Sequence, residues 1–147
     1  MFSGKIDVKV LRPADVEQSA VNDINKLLKQ QDSRARELTK DRLLDIITRS
    51  RVVVAMIDGR VIATGLLVLI DCLSHEFGSI HNLVVLNGFD AITIGKRVTE
   101  ELIKDIFCAE FIEAGIWLQD IQMVDVLLAL NFKERSKPRY RLRYRST

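Results

Sequence analysis

Several things are scarce in this sequence, and each absence narrows what the chain can be. Of its 147 residues only two are cysteine, Cys72 and Cys108. They share no metal-type spacing, and a single distant pair is weak support for a disulfide, so both are expected to be buried thiols. No apolar run is long enough to span a bilayer. The longest, Ala63 to Ile70, is broken by Thr64 and Gly65, and the opening MFSGKIDVKV has no core of signal-peptide length. A cytoplasmic protein is therefore the expectation. Charge of one sign is also lacking: 22 Lys and Arg against 20 Asp and Glu leave a net charge of +2. No global field points to nucleic acid or to a membrane surface. There is no internal repeat and no Pro-, Gly- or Ser-rich linker, so residues 1–147 read as a single domain.

What is present is alternation and helical periodicity in a readable order. Ile6 to Leu11 alternates apolar and polar residues, the mark of a half-buried strand. Pro13-Ala14-Asp15 opens a helix, with Asp15 and Gln18 spaced as a capping box and Val16, Ala20, Ile24, Leu27 and Leu28 on one face. Gln30 to Glu37 is polar and turn-like. Thr39 to Arg49 predicts a second helix. Val52 to Ile57 and Val61 to Ile70 flank Asp58-Gly59, a strong type I′ hairpin signal. Asp71 to Glu76 reads as a loop and Gly78 to Leu86 as a strand. Ile94, Val98, Leu102 and Ile106 recur every fourth residue, predicting a helix from about Thr93 to Cys108. Phe111 to Leu118 reads as a strand, with Trp117 in the core. Asp120 begins a short helix to Ala129, and Phe132 to Tyr144 reads as two short strands around Pro138. The expected fold class is α/β (α+β): a mixed, mostly antiparallel sheet of about seven strands with four helices, in the order β-α-α-β-β-β-α-β-α-β-β.

That order, and two blocks of residues within it, resembles the GCN5-related N-acetyltransferases (GNAT superfamily). Leu83-Val84-Val85 is similar to the end of that family's fourth strand. Asp90-Ala91-Ile92-Thr93-Ile94-Gly95 occupies the position of its six-residue phosphate loop, and Lys96 to Ile103 resembles the helix that follows. In the second block Asp120, Leu127 and Asn131-Phe132 match, without a gap, the places of the family's asparagine, tyrosine and Gly-Phe.

The resemblance implies acetyl-CoA as co-substrate and transfer of its acetyl group to a small-molecule or protein amine. It places the pantetheine arm along Leu83, Val84 and Val85, and the pyrophosphate at Ile92, Thr93, Ile94, Gly95, Lys96 and Arg97. A glycine turn leading into a helix N-terminus offers unpaired N–H groups and partial positive charge to phosphate. The loop departs from the family's pattern. Asp90 stands where an arginine or glutamine approaches the phosphates, and Thr93 replaces the first glycine. Lys96 and Arg97 can supply compensating charge, or can equally begin an amphipathic helix with a solvated basic edge. This degenerate motif leaves a second reading open, a catalytically inactive binding or regulatory module of the same fold.

The proton-handling positions are altered as well. Ser79 stands at the commonest position of the family's glutamate base. His81, two residues on and on the same face, is the candidate base, since imidazole is the side chain suited to proton transfer near neutrality; a partly buried structural histidine is the more ordinary reading. His75 and Glu76 are candidates for a water-mediated base. Leu127 takes the place of the tyrosine acid, and Tyr140 or Tyr144 can replace it. The tail from Lys133 to Arg145 alternates basic residues with tyrosines, either a face for RNA or an acidic partner or an edge strand protected by charge. The apolar stretch Met123 to Leu130 fits core packing or a homodimer contact.

Overall fold

The computed structural model describes residues 4–115, 120–135 and 140–143. Its core is one five-stranded sheet in sequence order, β1 (Asp7–Val10), β2 (Arg51–Ile57), β3 (Arg60–Asp71), β4 (Glu76–Val85) and β5 (Ile112–Ala114). The first four strands pair antiparallel, and β5 joins β4 in parallel through the helix between them. Four helices cover the sheet: α1 (Gln18–Gln31), α2 (Lys40–Ile47), α3 (Ala91–Ile103) and α4 (Ile121–Ala129).

Both faces of the sheet are covered, so the central strands are apolar almost throughout rather than alternating. On one face Val53, Ile62, Leu67 and Ile80 pack beneath Ile94, Val98 and Leu102 of α3 and Met123 and Val126 of α4. On the other, Val52, Val54 and Val84 meet Val21, Ile24, Leu27 and Leu43 of α1 and α2. Each such side chain contributes about 1.5–3 kcal/mol by leaving water.

The β2–β3 hairpin turns at Asp58 (φ 50°) and Gly59 (φ 77°), the paired positive angles that a type I′ turn demands. Arg60 and Val61, just past this turn, are fastened to α1. Buried Asp23 accepts from Arg60 Nη2 at 2.7 Å, from Arg60 Nε at 3.1 Å and from the Val61 N–H at 3.1 Å.

Several sequence expectations need correction. Pro13–Asp15 forms a separate 3-10 turn, closed by the Arg12 N–H donating to Asp15, and α1 proper starts at Gln18. Helix α3 ends at Ile103 rather than Cys108. Lys104 is extended, Asp105 has φ 58°, and Arg51 Nη1 reaches the carbonyls of Leu102 (2.9 Å) and Lys104 (2.7 Å). That guanidinium satisfies orphan acceptors at the negative end of the helix.

Among the described residues the sheet has five strands rather than about seven. Residues 132–135 and 140–143 carry no strand, and every one of them except half-buried Phe132 is exposed, so these described residues offer no apolar face to bury. The positions of Trp117, Pro138 and Tyr144 lie outside the described residues. Cys72 and Cys108 are exposed rather than buried, and Glu76, chiefly by hydrogen bonding, pushes the Cys108 thiol up from its ordinary range. Among the described residues no helix is long and apolar enough to cross a membrane, and no cluster of ligands for a metal ion occurs.

Candidate active site

The site is built around an irregularity in β4. Thr64 pairs with Val84, but Leu66 pairs with His81, so Asn82 and Leu83 together stand opposite Gly65. Asn82 takes φ 53° to accommodate the extra residue, a β-bulge of the kind that re-aims a strand. Gly65 leaves room on the partner strand, because a Cβ there would lie 2.8 Å from Leu102 Cδ1 and 3.2 Å from Val98 Cγ1 and would force those side chains to shift.

Among the described residues no strand pairs with β4 on its outer side beyond the bulge. The β5 pairing covers only Gly78, Ile80 and Ser79 between them. The Leu86 N–H donates inward to Ile62, and by the alternation of strand backbone groups the Leu83 and Val85 carbonyls turn outward. Two side-chain amides from the end of α1 meet them. Gln30 Nε2 donates to the Val85 carbonyl at 2.8 Å, and Gln31 Nε2 to the Leu83 carbonyl at 3.2 Å. Gln30 Oε1 also accepts from the Asn87 N–H at 2.9 Å, and Gln31 Oε1 from Asn82 at 3.4 Å. Sequence reading missed both glutamines; their partners lie more than fifty residues away, and nothing local marks them.

Side chains of Leu83, Val84 and Val85 are all buried, so this stretch presents backbone only. Residues 90–95, read from sequence as a loop, are the N-cap and opening turns of α3. Asp90 is the N-cap, and its carboxylate accepts from the Thr93 N–H at 3.1 Å and the Thr93 hydroxyl at 2.8 Å. The Thr93 N–H, then its hydroxyl and the Ile92 N–H, hold the Asp90 carboxyl below its ordinary range. The chain thus places its own anion on the N–H groups that a phosphate would seek. Ile92 and Thr93 are exposed on the first turn, whereas Ile94 is buried in the core.

Gly95 also faces inward. A Cβ on it would stand 3.1 Å from Val126 and 3.3 Å from Met123, so it lets α3 and α4 cross closely. Lys96 and Arg97 are exposed, and Arg97 donates to the Ile6 carbonyl at 3.4 Å. Phosphate-loop glycine and helix-crossing glycine look alike in sequence; only the packing of α4 separates them.

His81 is exposed on the face that α1 and α2 cover, across from Leu66, and its Nε2 lies 2.8 Å from Ser79 Oγ. The two residues singled out as base and vanished base are therefore hydrogen-bonded neighbours. His75 pairs instead with Ser74 and packs its ring against Phe77 and Phe111 at 5.5 and 5.3 Å. Leu127 is buried, and Tyr140 is 95% exposed with no hydrogen bond or ring contact to His81. Asp120 stands at the N-cap of α4 without a side-chain capping bond, and burial pushes its carboxyl up.

No family model matches the sequence, and comparison with curated proteins finds no match. Solved structures are another matter. A putative acetyltransferase from Agrobacterium tumefaciens superposes with TM-score 0.72 at 17% identity, covering 93% of this chain and 99% of the other. Glucosamine-6-phosphate N-acetyltransferase from Arabidopsis thaliana gives 0.70 at 14% identity, covering 94% and 98%. A protein described as a transcriptional regulator from Bacillus halodurans gives 0.75 at 12% identity, covering 94% and 99%. Sequence identity this low carries the architecture alone, and across nearly the full length the chain has the fold of the GCN5-related N-acetyltransferases.

Proposed function

We propose that the protein is an acyl-CoA-dependent N-acyltransferase that moves an acetyl group from acetyl-CoA to a small-molecule or protein amine. The observation that carries this reading is the outward edge of β4, where the Leu83 and Val85 carbonyls accept from amides that belong to no strand. An arm rich in amide groups fits there, because Gln30 and Gln31 already make that kind of bond with the same two acceptors. The fit at α3 is poorer. Asp90 occupies the helix N-terminus, so pyrophosphate would have to rely on Lys96, Arg97 and displacement of that carboxylate.

Acetyl-CoA would supply an activated thioester, in which the bond from acetyl carbon to sulfur breaks as the bond to the amine nitrogen forms, with the thiolate leaving. The chain's own work is positioning and proton removal. The bulge at Asn82 separates the edge that would hold the arm from the face that carries His81. His81 accepts the proton that the amine loses, and Ser79 orients its ring. A thiolate leaves readily near neutral pH, so the loss of the tyrosine acid at Leu127 does not bar transfer.

The test is a thermal-shift titration with acetyl-CoA and coenzyme A, followed by thiol release on addition of an amine panel. A ligand of the native state must raise stability, by about 2.7 kcal/mol at a hundredfold excess over Kd. His81→Ala is expected to lower kcat by about 10²-fold or more with coenzyme binding unchanged. No stabilisation at millimolar coenzyme overturns the reading. A second reading, a non-catalytic binding module of the same fold, is favoured by one specific feature, the Asp90 carboxylate on the α3 N-terminus. It predicts no shift with either ligand until Asp90 is neutralised.

A further inference from the structure

A cavity of ≈290 Å3 opens between α1, α2 and the sheet, on the same face as His81. Its size is at the lower end of small-molecule pockets. The walls are apolar, formed by Ile24 and Leu28 of α1, Leu43 and Ile46 of α2, and Val52 of β2. The floor is formed by Thr64, Gly65 and Leu66 of β3, with Asn82 of the bulge beside it. Gly65 directs no side chain into this space, since the position a Cβ would take points at Leu102 and Val98 on the other face.

Two arginines, Arg36 and Arg42, line the cavity and are exposed to solvent, which puts them at its rim. Both residues are exposed, and neither side chain has a hydrogen-bond or ion-pair partner among the described residues. Glu37 and Asp41 neighbour them in sequence and pair with neither. Four other arginines are engaged: Arg34 contacts Asp32, Arg49 contacts Asp45, Arg60 holds Asp23 and Arg51 caps α3.

The loop that carries Arg36 is also fixed in place. Asn25 of α1 both donates to the Leu38 carbonyl (2.9 Å) and accepts from the Leu38 N–H (2.8 Å), and Lys29 donates to the Ala35 carbonyl at 2.6 Å. A loop held in this way adds no backbone-ordering cost on binding, which leaves only the arginine rotamers to be fixed.

We propose that this cavity binds a small apolar molecule bearing one carboxylate, its apolar part between α1 and α2 and its carboxylate between Arg36 and Arg42. Guanidinium is the side chain best matched to a carboxylate, by its paired N–H groups and its fixed charge. The apolar walls reject a ligand that is polar throughout, because they offer no hydrogen bonds in exchange for lost water. Insofar as the acyltransferase reading holds, on which this part rests, the ligand is the acceptor: an amine with a carboxylate and an apolar side chain, such as a hydrophobic amino acid. Its amine then lies toward Asn82, beside His81 and next to Leu83, where the outward edge of β4 begins.

The test measures binding by calorimetry without any coenzyme, using 3-phenylpropionate and its neutral amide. The acid is expected to bind at millimolar concentration or better, with the amide about tenfold weaker. Arg36→Gln and Arg42→Gln are each expected to weaken the acid by a similar factor and leave the amide unchanged. Arg34→Gln, on the same loop but away from the cavity, should change neither. Both arginines at the rim are exposed, so these variants should fold, and circular dichroism checks it. Equal affinity for acid and amide, no binding of either, or indifference to both rim substitutions overturns the proposal. L-phenylalanine with acetyl-CoA then separates the two readings. Binding that depends on both arginines, with neither coenzyme stabilisation nor acetylation of any amine, keeps the cavity assignment and removes the transferase reading. Acetylation of other amines, with no binding of the acid, does the reverse.

Discussion

Gln30 and Val85, 55 residues apart, are joined by a 2.8 Å bond from the side-chain amide to the strand carbonyl. With Gln31 on Leu83, it closes the outward edge of β4 with the chain's own amides. Any ligand that adds along that edge must displace both. Each such bond contributes about 0.5–1.5 kcal/mol net, so their removal should favour an incoming arm by roughly fivefold or more in Kd. The double variant Gln30→Ala with Gln31→Ala is therefore expected to bind coenzyme A more tightly in calorimetry. It should also melt slightly lower, because Gln30 braces Asn87 as well. Unchanged or weaker coenzyme binding would show that the arm does not lie on this edge.

Asp90 sets the second barrier. Its carboxyl lies below the ordinary range because the Thr93 N–H, the Thr93 hydroxyl and the Ile92 N–H all donate to the charged form. It therefore stays ionised throughout mild acid, and lowering the pH from 8 to 5 should not relieve its repulsion of phosphate. Asp90→Asn keeps an oxygen for the Thr93 N–H while removing the charge. Coenzyme A affinity is expected to rise on this substitution, and the rise should shrink as salt is added. Identical affinities in the native protein and the variant would place the phosphates elsewhere.

How far such features could be read from sequence depended on how many structural uses a residue pattern has. Asp58-Gly59 between two β-branched runs has essentially one, and the hairpin forms where it was expected. Gly95 has two, and the local sequence does not separate phosphate approach from helix crossing; the deciding side chains, Met123 and Val126, arrive from another helix. His81 and Ser79 were legible as a pair because strand alternation puts them on one face. The glutamines on β4 and the arginine-rimmed cavity were not, since each is assembled from segments far apart in the chain. The expected burial of Cys72 and Cys108 failed for a related reason. Residue preference describes an average site, and both lie outside the helices and strands at the sheet's exposed end.

Gly95 yields a prediction that separates its two roles. As a crossing residue it tolerates Ala only if Val126 and Met123 yield by a few tenths of an ångström, and a larger side chain cannot be accommodated without moving α4. Gly95→Leu is expected to cost about 1–3 kcal/mol by overpacking, measured by urea denaturation. Gly95→Ala, folded and assayed at low temperature, should leave coenzyme affinity unchanged. A phosphate-contacting glycine would give the opposite pattern, lost affinity at nearly unchanged stability.

The Asp23–Arg60 pair governs how stability responds to acid. Burial pushes the Asp23 carboxyl up, but the Arg60 guanidinium and the Val61 N–H together outweigh it and leave it below its ordinary value. A carboxyl depressed in the folded state contributes stability that is fully present above its unfolded pKa, about 4. That stability is lost as pH falls through the lower, folded value. Asn at this position keeps one of the two acceptor oxygens and turns an NH2 group toward a donor, so at least one of the three bonds is lost and the ion pair with it, at a cost of about 1–3 kcal/mol near neutrality. Scanning calorimetry at pH 7, 5 and 3 should find Asp23→Asn melting below the native protein at pH 7 and 5. The gap should narrow by pH 3, below the unfolded pKa, where the unfolded carboxyl is protonated before the folded one. Some acid sensitivity should persist in the variant, because Asp15 and Asp90 are depressed as well. A gap that stays constant or widens on acidification would mean that Asp23 holds the hairpin to α1 by shape rather than by charge.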